Sequence, residues 1–143
     1  MAIAYVNIGS NLGDRQSNIR KAITSISEEF GTCCCSEIIE TEAWGYTSPN
    51  RFLNIGVSFK TELSPQDLLR RLQCIEKNIS SIAHRNNVGD YQDREIDIDI
   101  MAIDEILYRS DKLIIPHPKL LQRDFFLIPL MQLNPDWIYP QEM

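Results

Sequence analysis

Two closely spaced aspartates, Asp97 and Asp99, are the side chains of this sequence best placed to do chemistry. They lie in the stretch Arg94 to Asp104, REIDIDIMAID, where isoleucine recurs at every second position. That period is typical of a β-strand, so the isoleucines share one face while Asp97, Asp99 and Met101 share the other. The pattern therefore predicts a strand with one apolar and one acidic face.

Carboxylates at this spacing on an extended strand have Cα atoms roughly 6 to 7 Å apart, so their oxygens can converge on one cation or bridge a pair. A hard divalent cation held there would bind phosphate oxygens. The alternative is a polar strand face that is merely solvated. Surface strands more often carry Thr, Lys or Glu outward, which favours the cation. The flanking sequence has to decide between these two interpretations.

The chain has 143 residues and a formal net charge of −6. This length is typical of one domain with its own hydrophobic core, so we expect a single domain spanning residues 1–143. Nucleic-acid binding needs stripes of Lys and Arg that this acidic composition lacks, and we expect no nucleic-acid partner. Any phosphate bound by the chain would therefore need a metal ion.

The N-terminal stretch MAIAYVNIGSN has no basic region, and no later apolar run has the length of a membrane span. We therefore expect a cytoplasmic protein with no membrane partner, and a monomer is the favoured oligomeric state. Cys33, Cys34 and Cys35 are consecutive and Cys74 is distant, which matches neither a disulfide framework nor paired zinc-ligand spacing. We interpret them as small apolar residues, with a reactive thiol as the alternative.

The elements that position the aspartates begin with an apolar strand at residues 2–8, which ends in a turn at Gly9. Asp14 offers an N-cap to a helix that Gly31 ends, and residues 32–42 are expected to form a second strand. The GSNLGD segment lacks the lysine and the spacing of a P-loop, so we interpret it as a turn.

A further strand is predicted at residues 52–61, with Asn54 on the face opposite to its alternating apolar side chains. The Asn54 amide can read the edge of a heterocycle, or it can be a satisfied structural side chain. The preceding loop, 43–51, carries Trp44 and Tyr46. These rings either pack on the core or cover a flat ligand.

Ser64, followed by a proline, starts a second helix, and residues 80–93 lead without a sustained period into the aspartate strand. The order strand, helix, strand, strand, helix, strand predicts a split βαβ arrangement. Its four-stranded antiparallel sheet would carry both helices on one face. The acidic face would then be free to bind a ligand.

Four motifs occur in the order found in one enzyme family: IGSNLGDR, FLNIGV, YQDREIDIDI and IPHPKLLQRDFFLIPL. They span nearly the whole chain and resemble the 6-hydroxymethyl-7,8-dihydropterin pyrophosphokinases of folate biosynthesis. The resemblance implies a ferredoxin-like α+β sandwich with extra C-terminal strand and helix elements. It also implies an ATP- and Mg-dependent diphosphotransferase that uses two Mg²⁺ ions and ATP as co-substrate. The pterin hydroxymethyl oxygen would attack the β-phosphorus and AMP would leave, a displacement that depends on positioning and charge neutralisation.

The resemblance also implies roles for particular residues of this chain. Asp97 and Asp99 would be the metal ligands, and Arg94 would bridge substrate phosphates. The residues implied for the ATP site are Gln73, Glu76, Ile100, Lys112, His117 and Arg123. The residues implied for the pterin are the stacking rings Phe52 and Phe125, Asn54 at the ring edge, and Thr41 and Trp44 in a loop over it.

Two loops depart from the family pattern. Family members usually carry Thr-Pro-Pro where this chain has Thr-Glu-Ala at 41–43, so Trp44 is expected to take over part of the covering. They also usually carry Gly-Arg-x-Arg where this chain has Ser81 and Ala83. We expect Arg85 to act in catalysis in place of a missing arginine, because its guanidinium is a permanently charged, forked donor.

Two other functions stay open at this stage. A pterin- or nucleotide-binding module of the same fold, with weak or no turnover, is favoured by the missing loop arginines and disfavoured by the paired aspartates. A metal-dependent phosphohydrolase would rest on the aspartates and His117 alone. Release of AMP in the presence of the pterin would separate the kinase from both alternatives.

Overall fold

Antiparallel strands and two long helices make up the centre of the protein. The structure is a computed structural model, and it describes residues 1–80 and 93–141. The strands are β1 (Ala2–Ser10), β2 (Cys33–Cys35), β3 (Ile39–Thr41), β4 (Phe52–Thr61), β5 (Asp97–Ile103), β6 (Tyr108–Arg109) and β7 (Ile114–Ile115). The helices are α1 (Arg15–Phe30), α2 (Pro65–Ile79) and α3 (Asp124–Leu133), with a 3₁₀ turn at Leu120–Gln122. This order confirms the predicted α+β core with additional C-terminal elements.

The main sheet has the strand order β2-β4-β1-β5, and β3 also pairs with β4. All of its pairings are antiparallel. In the centre of the sheet, Gly9 of β1 pairs with Asn54 of β4 on one side and with Asp97 of β5 on the other. The strand carrying the amide and the strand carrying the carboxylates therefore flank a shared central strand.

The predicted second strand at 32–42 is wrong in one respect, because it is interrupted at 36–38. β2 and β3 both pair with β4, but Ile39 pairs with Asn54, one residue out of register with β2. At the break, the Ser36 hydroxyl accepts a hydrogen bond from the Gly56 N–H at 2.8 Å. A side chain thus replaces part of the backbone ladder, and the chain bulges between two short strands.

The long helices begin and end near the residues predicted. The Asp14 carboxylate caps α1 by accepting from the Ser17 N–H at 3.1 Å, and Gly31 ends it with a φ of +91°. Ser64 caps α2 by accepting from the Asp67 N–H at 3.2 Å. Within residues 1–80 and 93–141, no helix is long and apolar enough to cross a membrane.

The main hydrophobic core lies between the sheet and the helices α1 and α2. Ile98 and Ile100 of β5 are buried there in one cluster with Leu68 and Leu72 of α2 and with Ile26 of α1. Each such side chain stabilises the fold by about 1.5–3 kcal/mol when it is fully buried. The alternating isoleucines therefore face the helices, as the period of the strand predicted.

The opposite face of the sheet is only partly open, which corrects the expectation that it is free to bind a ligand. Its other part is covered by α3 and the following segment, where Tyr5, Phe126 and Leu130 form a second buried cluster with Trp137. α3 is too apolar to lie exposed, so its Phe126 and Leu130 need an apolar surface of their own. The open part is the part that carries the aspartates.

A register shift between Tyr5 and Val6 of β1 separates the two parts of this face. Opposite the shift, Met101 and Ala102 of β5 both join the cluster under α3, whereas Ile103 returns to the main core. An extra residue at a bulge turns two consecutive side chains toward the same side. Met101 is therefore on the acidic face, as predicted, but it is buried under α3.

Candidate active site

A cavity of about 430 Å³ lies on the part of the sheet that α3 leaves uncovered. Its walls come from β1, β3, β4, β5, the loop before β4 and the segment around the start of α3. Ten of the predicted site residues line it, namely Thr41, Trp44, Phe52, Asn54, Arg94, Asp97, Asp99, His117, Arg123 and Phe125. Acidic, cationic and aromatic side chains from distant parts of the sequence thus share one depression.

Asp97 and Asp99 line this cavity at β5, and the carboxylate of Glu76, which does not line it, lies close enough to interact with both. Glu76 of α2 is buried, and its Oε2 accepts a hydrogen bond from the Ile98 N–H at 2.7 Å. Burial raises the pKa of Glu76 to about 8, and the charge of Asp97 adds to the effect. Burial also raises the pKa of Asp99 well above its usual range, with Asp97 and Glu76 contributing repulsion. A divalent cation would remove this repulsion.

The donors at this wall fit a hard cation. Asp97 and Asp99 offer carboxylate oxygens, and Mg²⁺ commonly binds one or two carboxylates and completes its shell with water and substrate phosphates. Among the residues that the structure describes, no group of three or more His, Cys, Asp or Glu side chains has the geometry of a metal site.

Two arginines face these carboxylates. Arg94 Nη1 lies 3.4 Å from Asp97 Oδ1. Arg123 is buried, and its guanidinium carbon lies 4.3 Å from the centroid of the Trp44 ring and 4.9 Å from that of Phe126. Its Nε is buried without a hydrogen-bond partner in the described part of the chain. A buried cation with an unused donor at a cavity wall suits an anionic ligand.

The end of the cavity next to β4 combines an amide with aromatic rings. Asn54 is buried, and its Nδ2 donates a hydrogen bond to Thr41 Oγ1 at 3.0 Å. Phe52 and Phe125 both line the cavity. A Cβ atom at Gly9 would lie 3.0 Å from Asn54 Oδ1 and 3.3 Å from Phe52 Cδ1. The lack of a side chain at Gly9 therefore leaves space for Asn54 and Phe52. Rings beside a buried amide can stack on a flat heterocycle and read its edge.

A second cavity of about 270 Å³ lies beside the first and shares Asp99 and His117 with it. Ile100 and Lys112 line this second cavity. His117 Nδ1 accepts a hydrogen bond from the Lys119 N–H at 3.0 Å. Burial, followed by the charges of Arg123 and Lys119, lowers the pKa of His117 to about 4. The imidazole is therefore neutral at pH 7 and stands between the two cavities.

Some predicted residues are not brought to these cavities. Gln73 and Glu76 of α2 line neither of the two, Gln73 being exposed and Glu76 buried. Arg85, together with Ser81 and Ala83, lies outside the described residues. The roles expected for these residues, like those of the residues that line the cavities, stay predictions.

Sequence reasoning missed Asn7 and Asp93. The Asn7 Nδ2 donates to the Phe125 carbonyl at 2.7 Å and so fixes the start of α3 against β1. Its signal was available, because Asn7 and Gly9 alternate with apolar residues on one face of β1. Asp93 had no local signal, since its hydrogen-bond partners lie in distant segments.

The sequence matches the protein-family model described as 7,8-dihydro-6-hydroxymethylpterin-pyrophosphokinase over residues 5–135. The chain belongs to this family. The matched range runs from within β1 to beyond the end of α3, so it includes every described segment that lines the cavity. The resemblance carried by the four sequence motifs is thereby confirmed.

Curated relatives agree with this membership. A 2-amino-4-hydroxy-6-hydroxymethyldihydropteridine pyrophosphokinase of Porphyromonas gingivalis is 41% identical over 145 residues, covering 99% of this chain and 96% of the relative. The protein of the same name from Aquifex aeolicus is 39% identical over 140 residues and covers 98% of this chain and 85% of the relative. These relatives share nearly the whole chain with the protein.

Solved structures share the fold at much lower identity. An HPPK-DHPS structure in complex with substrates superposes with a TM-score of 0.67 at 14% identity, covering 96% of this chain and 41% of that one. The wild-type HPPK-DHPS of Plasmodium falciparum superposes with a TM-score of 0.70 at 16% identity, covering 96% and 42%. This chain thus spans about two fifths of those longer chains, and the likeness confirms the ferredoxin-like α+β fold.

Proposed function

We propose that this protein transfers the pyrophosphoryl group of ATP to the hydroxymethyl oxygen of 6-hydroxymethyl-7,8-dihydropterin and releases AMP, as a step of folate biosynthesis. The observation that carries the proposal is the single cavity that Asp97 and Asp99 line together with Asn54 and the aromatic rings. Family membership and the names of the curated relatives support the same reaction. The proposal treats residues 1–143 as one domain that acts as a monomer.

Asp97 and Asp99 are the proposed ligands of two Mg²⁺ ions. When bound, the ions would neutralise the triphosphate and stabilise charge that develops on the transferred group. Glu76 supports this arrangement, because its hydrogen bond to the Ile98 N–H holds the backbone between the two aspartates. Arg94 lies against Asp97 and supplies a guanidinium that can bridge substrate phosphates.

The nucleotide is proposed to occupy the region where the two cavities meet. Arg123 would use its free Nε–H on a phosphate oxygen, and Lys112 and Ile100 line the adjoining cavity. His117 is neutral and accepts the Lys119 N–H at Nδ1, so its proton resides on Nε2 and can be donated to a phosphate or ribose oxygen. Gln73, which is exposed on α2, is retained as a predicted ATP contact.

The pterin is proposed to lie between Phe52 and Phe125, with its edge against Asn54. The Asn54 amide offers a donor and an acceptor side by side, and its Nδ2 is already oriented by Thr41. The Trp44 ring lies over the Arg123 guanidinium, which places an aromatic ring at the boundary between the two proposed substrate positions. These contacts position the hydroxymethyl group, and positioning is the main contribution of protein to such a transfer.

Arg85 is proposed to supply transition-state charge stabilisation in place of the arginines missing at Ser81 and Ala83. We expect Arg85→Ala to lower kcat by at least about tenfold, some 1.4 kcal/mol, while ATP affinity changes much less. Unchanged turnover in this variant would contradict the role. Ser81→Arg is the complementary test, since it should accelerate the reaction if the arginine deficit limits it.

The direct test is to incubate the purified protein with ATP, Mg²⁺ and 6-hydroxymethyl-7,8-dihydropterin and to measure AMP. The proposal predicts one AMP for each pterin consumed and no AMP without pterin. A binding module would bind both ligands without AMP, and a phosphohydrolase would release phosphate from ATP without pterin. The module is not favoured, because the curated relatives that match nearly the whole chain are named pyrophosphokinases.

A further inference from the structure

The carboxylate of Asp93 accepts hydrogen bonds from two distant segments, the residue after β1 and the loop before β4. Asn11 Nδ2 and the Tyr46 hydroxyl donate to Asp93 Oδ1 at 2.8 and 2.9 Å, and Asn50 Nδ2 donates to Oδ2 at 2.7 Å. Partial burial alone would raise the pKa of Asp93, but hydrogen bonds from Ser48, Asn50, Tyr46 and Asn11 outweigh it and lower the pKa. The carboxylate is therefore an ionised acceptor, the stronger kind of hydrogen-bond partner.

Most of these donors belong to the loop between β3 and β4, residues 42–51, which has no regular structure. Ser48 and Asn50 contact Asp93 from one end of this loop, and Tyr46 contacts it from the middle. The same loop brings Trp44 and Tyr46 to the cavity wall. Its conformation in front of the cavity therefore depends on a residue more than 40 positions away in the sequence.

Asn11 connects the 42–51 loop to Arg94, which lines the cavity next to β5. Its Nδ2 contacts Asp93 and the Asn50 carbonyl, whereas its Oδ1 accepts from the Arg94 N–H at 2.7 Å. The Asn11 N–H also donates to the Arg94 carbonyl at 2.9 Å. Asn11 is buried, so these bonds are shielded from competing water. The loop and the backbone of Arg94 are thus fixed to the same end of β1.

We propose that Asp93 is a positioning residue for the transfer reaction, which holds the 42–51 loop so that Trp44 and Tyr46 form the wall of the substrate cavity. Asp93 itself does not line the cavity, so it acts through the loop. This inference rests on the proposed function. Its consequence is that removing the carboxylate weakens capture of the pterin more than capture of ATP.

The test compares Asp93→Asn with wild type and with Asp136→Asn, a matched change at an exposed aspartate after α3. Asp93→Asn keeps the side-chain size but replaces one acceptor oxygen with a donor that would face other donors. We expect kcat/KM for the pterin to fall about tenfold, because small misplacements of positioning groups cost up to about a hundredfold. KM for ATP should change less than about twofold, and Asp136→Asn should match wild type.

A second measurement needs no substrate. The chain has two tryptophans, and Trp137 is buried, so acrylamide quenching of fluorescence reports mainly on Trp44. We expect Asp93→Asn to increase the quenching constant by about twofold while Asp136→Asn leaves it unchanged. If Asp93→Asn does not fold, a Tyr46→Phe/Asn50→Ala double variant removes two loop bonds and leaves Asp93 in place.

The outcomes separate this inference from the proposed function. Wild type that makes AMP, with an Asp93→Asn variant of unchanged pterin kcat/KM and quenching, overturns the positioning role and leaves the function intact. An equal loss for both substrates with unchanged quenching also overturns it, because the residue would then be a general structural support. If wild type makes no AMP, the proposed function fails, and the quenching result alone decides whether Asp93 holds the loop.

Discussion

The two faces of β5 show how one strand can serve the core and the site at once. Ile98 and Ile100 face α1 and α2 in the main core, where only burial and shape matter. Asp97 and Asp99 face the cavity, where burial raises the pKa of Asp99 and their mutual repulsion opposes folding. Stability thus comes from one face and the proposed chemistry from the other, so mutations on the cavity face should lower turnover and mutations on the core face should lower stability.

The largest effect is expected for Asp99→Asn on the cavity face. The change removes a proposed metal ligand, so kcat/KM should fall at least about a thousandfold. The same change removes a repelled carboxylate, so the melting temperature without Mg²⁺ should stay the same or rise. AMP production and thermal unfolding check the two halves, with Asp136→Asn as the control. Near wild-type turnover would contradict the assignment of Asp99.

The reverse signature is expected for Leu68→Ala on the helix-covered face. Leu68 is fully buried, so its truncation should cost about 2–5 kcal/mol of unfolding free energy measured in urea. Turnover at a temperature where the variant is folded should stay within about twofold of wild type. Leu121→Ala, at a leucine that is 63% exposed, should change stability by less than about 0.5 kcal/mol. Equal losses at both leucines would refute the location of the core.

A matched pair of glycines tests the division of the other face. A Cβ at Gly56 would lie 2.7 Å from Pro129 Cβ under α3, so Gly56→Ala should cost about 1–3 kcal/mol of stability with little change in pterin KM. A Cβ at Gly9 presses on Asn54 and Phe52 instead, so Gly9→Ala should raise pterin KM several-fold with a smaller loss of stability. Urea unfolding and steady-state kinetics check both variants. Identical behaviour of the pair would mean that α3 does not divide the face.

The last effect is confined to acidic pH and concerns the charge of His117. Its folded pKa of about 4 lies below the ordinary value near 6.5, so the unfolded chain binds more protons between these pH values. His117 therefore makes stability rise with pH across that window, by at most about 1.4 kcal/mol per pH unit, and contributes no slope above it.

NMR titration measures this pKa directly. The chain has two histidines, and His84→Gln assigns their ring signals. The signal of His117 should titrate near pH 4. Titration of His117 near 6.5 would show that its ring is solvated and charged more easily than its burial implies.

Local periodicity predicted the main elements and the core of the site. The alternation in β5 placed the isoleucines inward and the aspartates together, since strand geometry fixes that relation without reference to the rest of the chain. Capping residues such as Asp14 and Ser64 likewise predicted helix starts from local hydrogen bonding alone. The family resemblance supplied the expected role of Phe125, a residue that its apolar sequence neighbourhood alone would assign to the core.

Features that depend on contacts between distant segments could not be predicted from local sequence patterns. The break at 36–38 arises because Ser36 competes for a backbone group of β4, which the residue pattern of 32–42 does not reveal. α2 alone did not show that Glu76 is buried, because the N–H that satisfies it belongs to β5. Asp93 is the extreme case, since its partners are Asn11, which follows β1, and residues of the 42–51 loop.

The position of β1 between β4 and β5 sets the distance between the strand that carries Asn54 and the strand that carries the aspartates. Gly9 pairs with Asn54 on one side and Asp97 on the other, and neighbouring strands are about 4.8 Å apart, so the amide strand and the acidic strand are separated by roughly 10 Å. A pterin bound at its edge by Asn54, as proposed, would have to extend across β1 before its hydroxymethyl group reached the acidic strand. We therefore expect a single-ring analogue, or an isomer with its arm on another edge, to bind without placing its oxygen within reach of the phosphate.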